Sequence, residues 1–269
     1  MGSEYIPLDL WRVGVAASLV VVSAGISLLL QLGLEKRLLL AAARTVVQLL
    51  LLSLVLLWIF EASRWYFVLA LMAAMTLVAG WAAVRRVERY YAGLLLDSVL
   101  AIWASSWCIT AVGLFGVLGV DPWYRPQYAI PLLGMVLHNT LNGISLGMDR
   151  FNNELIAKRP EVETLLALGA TRWEAARPAM QDAVRTGMIP TINSMMVIGI
   201  VSIPGMMTGQ LLAGVNPFQA GFYQMMIMFL IAAGSTLGTV TVVLLGYRRL
   251  FSQDHQFLPG RIIGRDSTK

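Results

Sequence analysis

From Thr186 to Tyr247 the chain carries no charged residue. A water-soluble domain places about a quarter of its residues as charges on its surface, so a stretch of this length is solvated by hydrocarbon. Some 20 apolar residues cross the roughly 30 Å hydrocarbon core of a bilayer. The uncharged stretch therefore holds two spans and one turn, and Gly214-Val215-Asn216-Pro217 is the turn. Five earlier segments pass the same test: Val13–Leu34, Leu38–Phe60, Trp65–Val84, Gly93–Val120 and Pro126–Met148. With 269 residues, 58% hydrophobic and 13% charged, and a mean hydropathy of +0.71, the chain reads as an all-α integral membrane protein of about seven transmembrane helices.

Charge placement sets the orientation. With the N-terminus outside, 17 of the 20 Lys and Arg residues fall on inner segments, leaving Arg12, Arg64 and Arg125 outside. That asymmetry satisfies the positive-inside rule and makes the C-terminus cytoplasmic, whereas an even number of spans would spoil it. The N-terminus does not read as a cleaved leader: Glu4 and Asp9 precede Arg12, and the apolar run continues past Ser23 and Ala24, so the first span stays. The tail after Phe251 reads as a short frayed end.

The longest polar interval runs from Arg150 to Arg185, with six basic and five acidic residues. Its near-neutral balance argues against a nucleic-acid partner. Its local signals predict two short helices joined at a glycine. Pro160 suits a first helical position, Glu161 and Glu163 suit the positive end of the dipole, and Gly169 suits a left-handed stop. Thr171 then caps a second helix, with Glu174 three residues on completing a capping box. Held between two spans, this unit reads as a docking surface, and Leu165 and Leu168 are the apolar residues a partner would grip.

Catalytic signatures are missing. HExxH, GxSxG and the phosphate-binding GxxxxGK[ST] pattern do not occur. The single cysteine, Cys108, excludes an intrachain disulfide, and His138 and His255 lie on separate segments. No catalytic residue and no cofactor of this chain's own are expected, the metal ligands stay unknown, and any energy source must come from another protein.

Within the spans, three GxxxG pairs occur: Gly143 with Gly147, Gly205 with Gly209, and Gly234 with Gly238. Small residues at this spacing ordinarily let helices approach closely. The middle pair belongs to Gly199–Pro217, GIVSIPGMMTGQLLAGVNP, whose glycines and Pro204 break regular hydrogen bonding. Hydrocarbon tolerates such a break where the freed groups face protein or a water-filled cavity, so this span should line something. Met206 and Met207 sit in it, with Met195, Met196, Met225, Met226 and Met228 nearby in sequence. Thioethers favour soft ions such as copper(I), but they also fill irregular apolar gaps, and both readings stand. Arg44 and Gln48 share a face of the second span, where an ionisable group marks function or snorkels to the interface. Asn139 and Asn142 share a face of the fifth span beside His138 and either bond across helices or line a polar path. Asp97 is expected to meet Arg85, Arg86, Arg89 or water.

The block Ser202-Ile203-Pro204-Gly205-Met206-Met207-Thr208-Gly209, followed by Ala213-Gly214-Val215-Asn216-Pro217 and Tyr223-Gln224, resembles the FetB-type permeases. Leu168-Gly169-Ala170-Thr171, Asp182 through Arg185, Ile189-Pro190-Thr191, and Arg44 with Gln48-Leu49 also fit that family. It comprises membrane subunits of an ABC transporter associated with bacterial iron export, related to plant aluminium-tolerance permeases. The polar interval also looks like the coupling loop of ABC importers, with Gly169 six residues after Glu163, although the downstream Ile-x-Leu-Pro element of that motif is not at its spacing.

The resemblance implies one permease domain over residues 1–269, with a cytoplasmic coupling loop at 150–185. It implies a pair of such permeases in a bacterial inner membrane, working with cytoplasmic ATP-binding subunits that hold ATP and Mg. Coupling falls to Glu163, Leu165, Leu168, Gly169, Ala170, Thr171 and Arg172. A translocation pathway would use Arg44, Gln48, Asn139, Asn142, Pro204, Gly205, Met206, Met207, Gly209 and Gln224. The competing readings are an ATP-independent channel or secondary transporter, and a membrane scaffold that recruits a cytoplasmic protein. A secondary transporter usually carries buried carboxylates at mid-membrane, and here only Asp97 comes near.

Overall fold

The computed structural model describes residues 9–62 and 64–264; Glu4, which bears on the leader reading, and Arg265 and Lys269, which count toward the charge asymmetry, lie outside them. Helices make up almost all of the described chain: α1 (Leu10–Leu29), α2 (Glu35–Ala62), α3 (Trp65–Arg85), α4 (Leu94–Ala111), α5 (Pro126–Ala157), α6 (Arg159–Ala167), α7 (Arg172–Val197), α8 (Gly205–Leu212) and α9 (Pro217–Leu250). The exception is an antiparallel ribbon of β1 (Arg89–Tyr91) and β2 (Ile262–Gly264), with Tyr90 opposite Ile263. Among the described residues six helices are long and apolar enough to cross a bilayer: α1, α2, α3, α4 with its π-helical continuation Val112–Leu118, α5 and α9. The protein is a multi-pass membrane protein.

The stretch predicted to hold a sixth span before the Gly214 turn is not one straight helix. After Arg185, α7 continues for only 12 residues to Val197, about 18 Å of rise and short of the hydrocarbon thickness. Ile198 is extended, Gly199 is left-handed at φ +77°, and Gly199 N–H closes a tight turn on the Ser202 carbonyl at 2.9 Å. Pro204 then precedes the two-turn α8. The glycines and the proline interrupt the span as their backbone properties require.

The chain forms two compact units. The first contains α1 and α2, together with residues 210–215. Its two helices are joined at Gln31 and Gly33, both with positive φ, so α1 stops at Leu29 although the apolar run extends to Leu34. Ser27 Oγ accepts from Leu34 N–H at 3.0 Å and donates to Glu35 Oε2 at 3.3 Å. Both helices leave nearly all their apolar side chains exposed, as helices bathed in lipid do.

The second unit holds the rest, and α5 is its axis, packed against α7 and α9. Lipid supplies no hydrophobic drive for helix association, so close approach at small residues carries the packing. A Cβ on Gly187 would lie 2.6 Å from the Gly143 carbonyl oxygen, and one on Gly238 would lie 2.4 Å from Thr140 Cγ2. The Gly143/Gly147 and Gly234/Gly238 pairs are thus packing seams. Gly205 and Gly209 have nothing within 4 Å of where a Cβ would stand.

The structure departs from three expectations. α5 does not stop near Met148 but runs to Ala157, because Arg150, Glu154 and Lys158 follow at i, i+4 and pair at 3.0 and 2.5 Å. The polar interval is therefore the end of α5, then α6, then the first half of α7, which is no short helix. Asp97 meets none of Arg85, Arg86 and Arg89. Its buried carboxylate takes two bonds from Arg249 and one from the Tyr91 hydroxyl at 2.9 Å. Burial first, and the Asp97 charge second, push the Tyr91 phenol above its ordinary range. The tail after Phe251 is also folded. Phe251 and Phe257 are buried, stack at 5.2 Å and form a β-bridge, before β2 closes on β1.

Candidate functional site

The α6–α7 corner is built as its residues predict. Pro160 opens α6, and Gly169 turns the chain at φ +94°, a conformation that strains any residue with a Cβ. Thr171 caps α7. Its Oγ1 accepts from Glu174 N–H at 3.3 Å, while a Glu174 Oε2 accepts from Thr171 N–H at 2.8 Å. Those bonds hold the Glu174 carboxyl below its ordinary 4.5, the backbone bond from Thr171 contributing most.

On the outside of this corner Leu168 is 80% exposed and Leu165 41%. Glu163 is exposed and paired with Arg159 at 2.7 Å, and Ala170 is half-buried. Arg172 is engaged within the chain. Its N–H donates to His255 Nδ1 at 2.9 Å, its Nη1 donates to the Ser252 carbonyl at 3.0 Å, and its guanidinium stands over Tyr247. The tail thus braces the start of α7, a contact that no local pattern announces.

A second polar locus runs along α5. His138, Asn142, Ser145 and Asp149 follow at helical spacing. Asn142 Oδ1 accepts a short bond from Arg86, and its Nδ2 lies 3.3 Å from His138 Nε2. Asp149 Oδ1 accepts from Glu88 N–H at 2.9 Å. Arg86, Asn142, Ser145 and Asp149 line a cavity of about 210 Å³ with Leu146 and Pro190. Asn139 stands apart from it, its amide bonding back to the Met135 carbonyl at 2.9 Å. Arg86 and Asp149 were not among the sequence candidates, because charges beside a span end ordinarily read as interfacial anchors.

The third locus is the broken stretch. Met195, Ile198 and Gly199 from the end of α7, Pro204 and Met207 around the start of α8, and Gln224, Met225, Met228 and Phe229 on α9 surround a cavity of about 330 Å³. It brings Pro204, Met207 and Gln224 together from the sequence candidates. Met206 is half-buried beside it without lining it. Met195, Met225 and Met228 were legible only as neighbours in sequence. Arg44 and Gln48 lie one turn apart on α2 in the other unit, both exposed. No group of three or more His, Cys, Asp or Glu that could hold a metal occurs among the described residues.

The profile of the uncharacterised protein family UPF0014 matches residues 10–251. The chain belongs to the UPF0014 family. A UPF0014 membrane protein of Synechocystis sp. is 39% identical over 227 residues, covering 84% of this chain and 88% of that protein. The probable iron export permease protein FetB of Escherichia coli is 31% identical over 243 residues, covering 90% of this chain and 92% of its own length. Protein ALUMINUM SENSITIVE 3 of Arabidopsis thaliana is 30% identical over 250 residues, 90% of this chain and 88% of that one. No solved structure matches the chain. This UPF0014 member is accordingly a membrane protein related to a probable iron export permease.

Proposed function

We propose that this UPF0014 protein is the membrane-spanning permease subunit of an ABC transporter that moves a metal ion out of the cytoplasm of a bacterium across its inner membrane. The observation that carries the reading is the α6–Gly169–α7 corner: a two-turn helix with apolar side chains facing outward, fixed by a capping box and braced by the tail. A rigid projection of this kind transmits a push to the long α7 when a partner grips it. The partner would be a cytoplasmic subunit that binds ATP and Mg and hydrolyses the nucleotide, leaving this chain non-enzymatic. The name of the Escherichia coli relative, a probable iron export permease, supports outward transport of a metal ion.

In this reading residues 1–269 form one permease domain with the N-terminus outside, the C-terminus inside, and a homodimer around a shared path. The interrupted stretch from Thr186 to Ala213 completes a seventh crossing, which restores the charge asymmetry that six would spoil. Discontinuous helices of this kind line binding sites at mid-membrane in other transporters. Glu163, Leu165, Leu168, Gly169, Ala170 and Thr171 contact or position the coupling corner, with Arg172 bracing it from behind. Pro204, Met207 and Gln224 line the path at the broken stretch, with Gly205, Met206 and Gly209 beside them. Asn142 and Asn139 belong to its α5 side, and Arg44 and Gln48 on α2 are assigned pathway roles in their own unit.

A carrier driven by an ion gradient is disfavoured by Asp97, whose carboxylate is closed off by Arg249 and Tyr91 instead of being free to take up a coupling ion. Co-purification with the cognate ATP-binding subunit tests the proposal. A stable complex that Leu168→Glu disrupts, with the variant still inserted and folded, supports it; no association with the wild-type chain overturns it.

A further inference from the structure

We propose that the cavity between the end of α7, α8 and α9 binds a soft monovalent metal ion, copper(I) or its redox-inert analogue silver(I), through methionine thioethers. The inference rests on the permease reading and names the substrate class. Four of the ten residues that line the cavity are methionines, in a chain with 14 among 269 residues. Met195, Met207, Met225 and Met228 come from three different elements, so local helical repetition does not account for their convergence. Met225 and Met228 are one turn apart on α9, which places two sulfurs on one face.

Gln224 gives the second, independent observation. The residue lines the same cavity, is only 7% exposed, and has a buried Oε1 without a hydrogen-bond partner. A buried amide oxygen left unpaired costs about 1–3 kcal/mol, which a bound cation would offset once the amide turned toward it. The remaining lining, Ile198, Pro204 and Phe229 among it, is apolar and supplies no competing charged ligand.

Hard ions demand carboxylate or other charged oxygen ligands. This cavity offers none, and no cluster of His, Cys, Asp or Glu elsewhere among the described residues could replace it. Thioethers and a neutral amide suit a soft ion of single charge instead. The cavity is larger than a bare ion, but methionine has three rotatable bonds and closes around a ligand by changing rotamer.

The test uses the full-length permease in lipid nanodiscs on a Cys108→Ser background, since that thiol is exposed and would bind silver by itself. Silver(I) is titrated against a competing chelator, and X-ray absorption at the silver edge counts sulfur neighbours. Leucine preserves methionine's volume, so Met195, Met207, Met225 and Met228 are all changed to Leu in the comparison protein. One ion per chain with sulfur neighbours, weakened by about tenfold or more in the quadruple variant, is the expected result. Binding that the quadruple variant retains, displacement of silver by equimolar iron(II), or no binding at all overturns the assignment. Co-purification with the ATP-binding subunit is scored on the same preparations. A complex without silver binding sinks this inference alone, and silver binding without a complex sinks the ABC reading alone.

Discussion

Arg249 holds Asp97 with two parallel bonds, Nε to Oδ2 at 2.5 Å and Nη2 to Oδ1 at 2.7 Å, across 152 residues of sequence. The Asp97 side chain is buried, and the Arg249 side chain is 40% exposed. Arg249 also takes part in holding the tail, since its carbonyl accepts from Arg261 Nη1 at 2.6 Å. The pair thereby ties α4, the end of α9 and the tail ribbon together.

Removing the cation leaves a buried charge unpaired, whereas removing the anion leaves a guanidinium that reaches water. Arg249→Leu is therefore expected to destabilise the protein more than Asp97→Asn. Its effect falls toward the lower end of the roughly 3–5 kcal/mol typical of broken buried pairs, because Arg249 is partly solvated. Thermal unfolding in detergent, with the double variant closing the cycle, checks the order.

Glycines at the helix seams and glycines at the break should respond oppositely. Gly187→Ala pushes a methyl against the Gly143 carbonyl, a backbone atom that cannot rotate away, and is expected to cost roughly 1–3 kcal/mol. Gly205→Leu and Gly209→Leu meet open space; both should insert and fold normally yet abolish transport. Normal transport in both would remove the broken stretch from the path.

The cap of α7 should be sensitive to acid. Glu174 has a depressed pKa in the folded protein, so its contribution is complete above its ordinary 4.5 and is lost as the pH falls through the lower folded value. Protection against hydrogen exchange at the first turn of α7 is expected to fall in the wild type as the pH drops below that ordinary value. Glu174→Gln should show no such step, and Thr171→Ala should weaken the cap by about 1 kcal/mol at every pH.

An aromatic chain fixes the tail: Trp173 to Tyr247 at 5.6 Å, Tyr247 to Phe251 at 5.5 Å and Phe251 to Phe257 at 5.2 Å. Phe257→Ala is expected to release the tail at a cost of about 3 kcal/mol. Limited proteolysis between Ser252 and Gln256 should then become fast, and coupling of ATP hydrolysis to transport should fall as Arg172 loses His255. Unchanged cleavage would mean that β2 alone holds the segment.

The sequence was most legible where structure is local. Pro160, Gly169, Thr171 and Glu174 announce the α6–α7 corner because caps and left-handed stops depend on residues within a turn of one another. Pro204 and the surrounding glycines likewise announced the break. What pairs across the chain was hidden: Asp97 with Arg249, Arg172 with His255, and Arg86 with Asn142 are 152, 83 and 56 residues apart. The end of α5 was missed because a bilayer-length criterion stops at Met148, whereas the Arg150–Glu154–Lys158 pairs carry the helix on in water. The folded tail is not legible in the sequence because Phe251 and Phe257, separated by five polar residues, give no periodic signal.

The most direct measurement is ATP-driven metal uptake into inside-out vesicles holding this chain and its cognate ATP-binding subunit, with Leu168→Glu as the comparison. The account predicts uptake that requires ATP in the wild type, with uptake lost in the variant although the permease is still inserted. Equal uptake without ATP or without the second subunit, or full uptake by the variant, would contradict it and return the protein to the gradient-driven carriers.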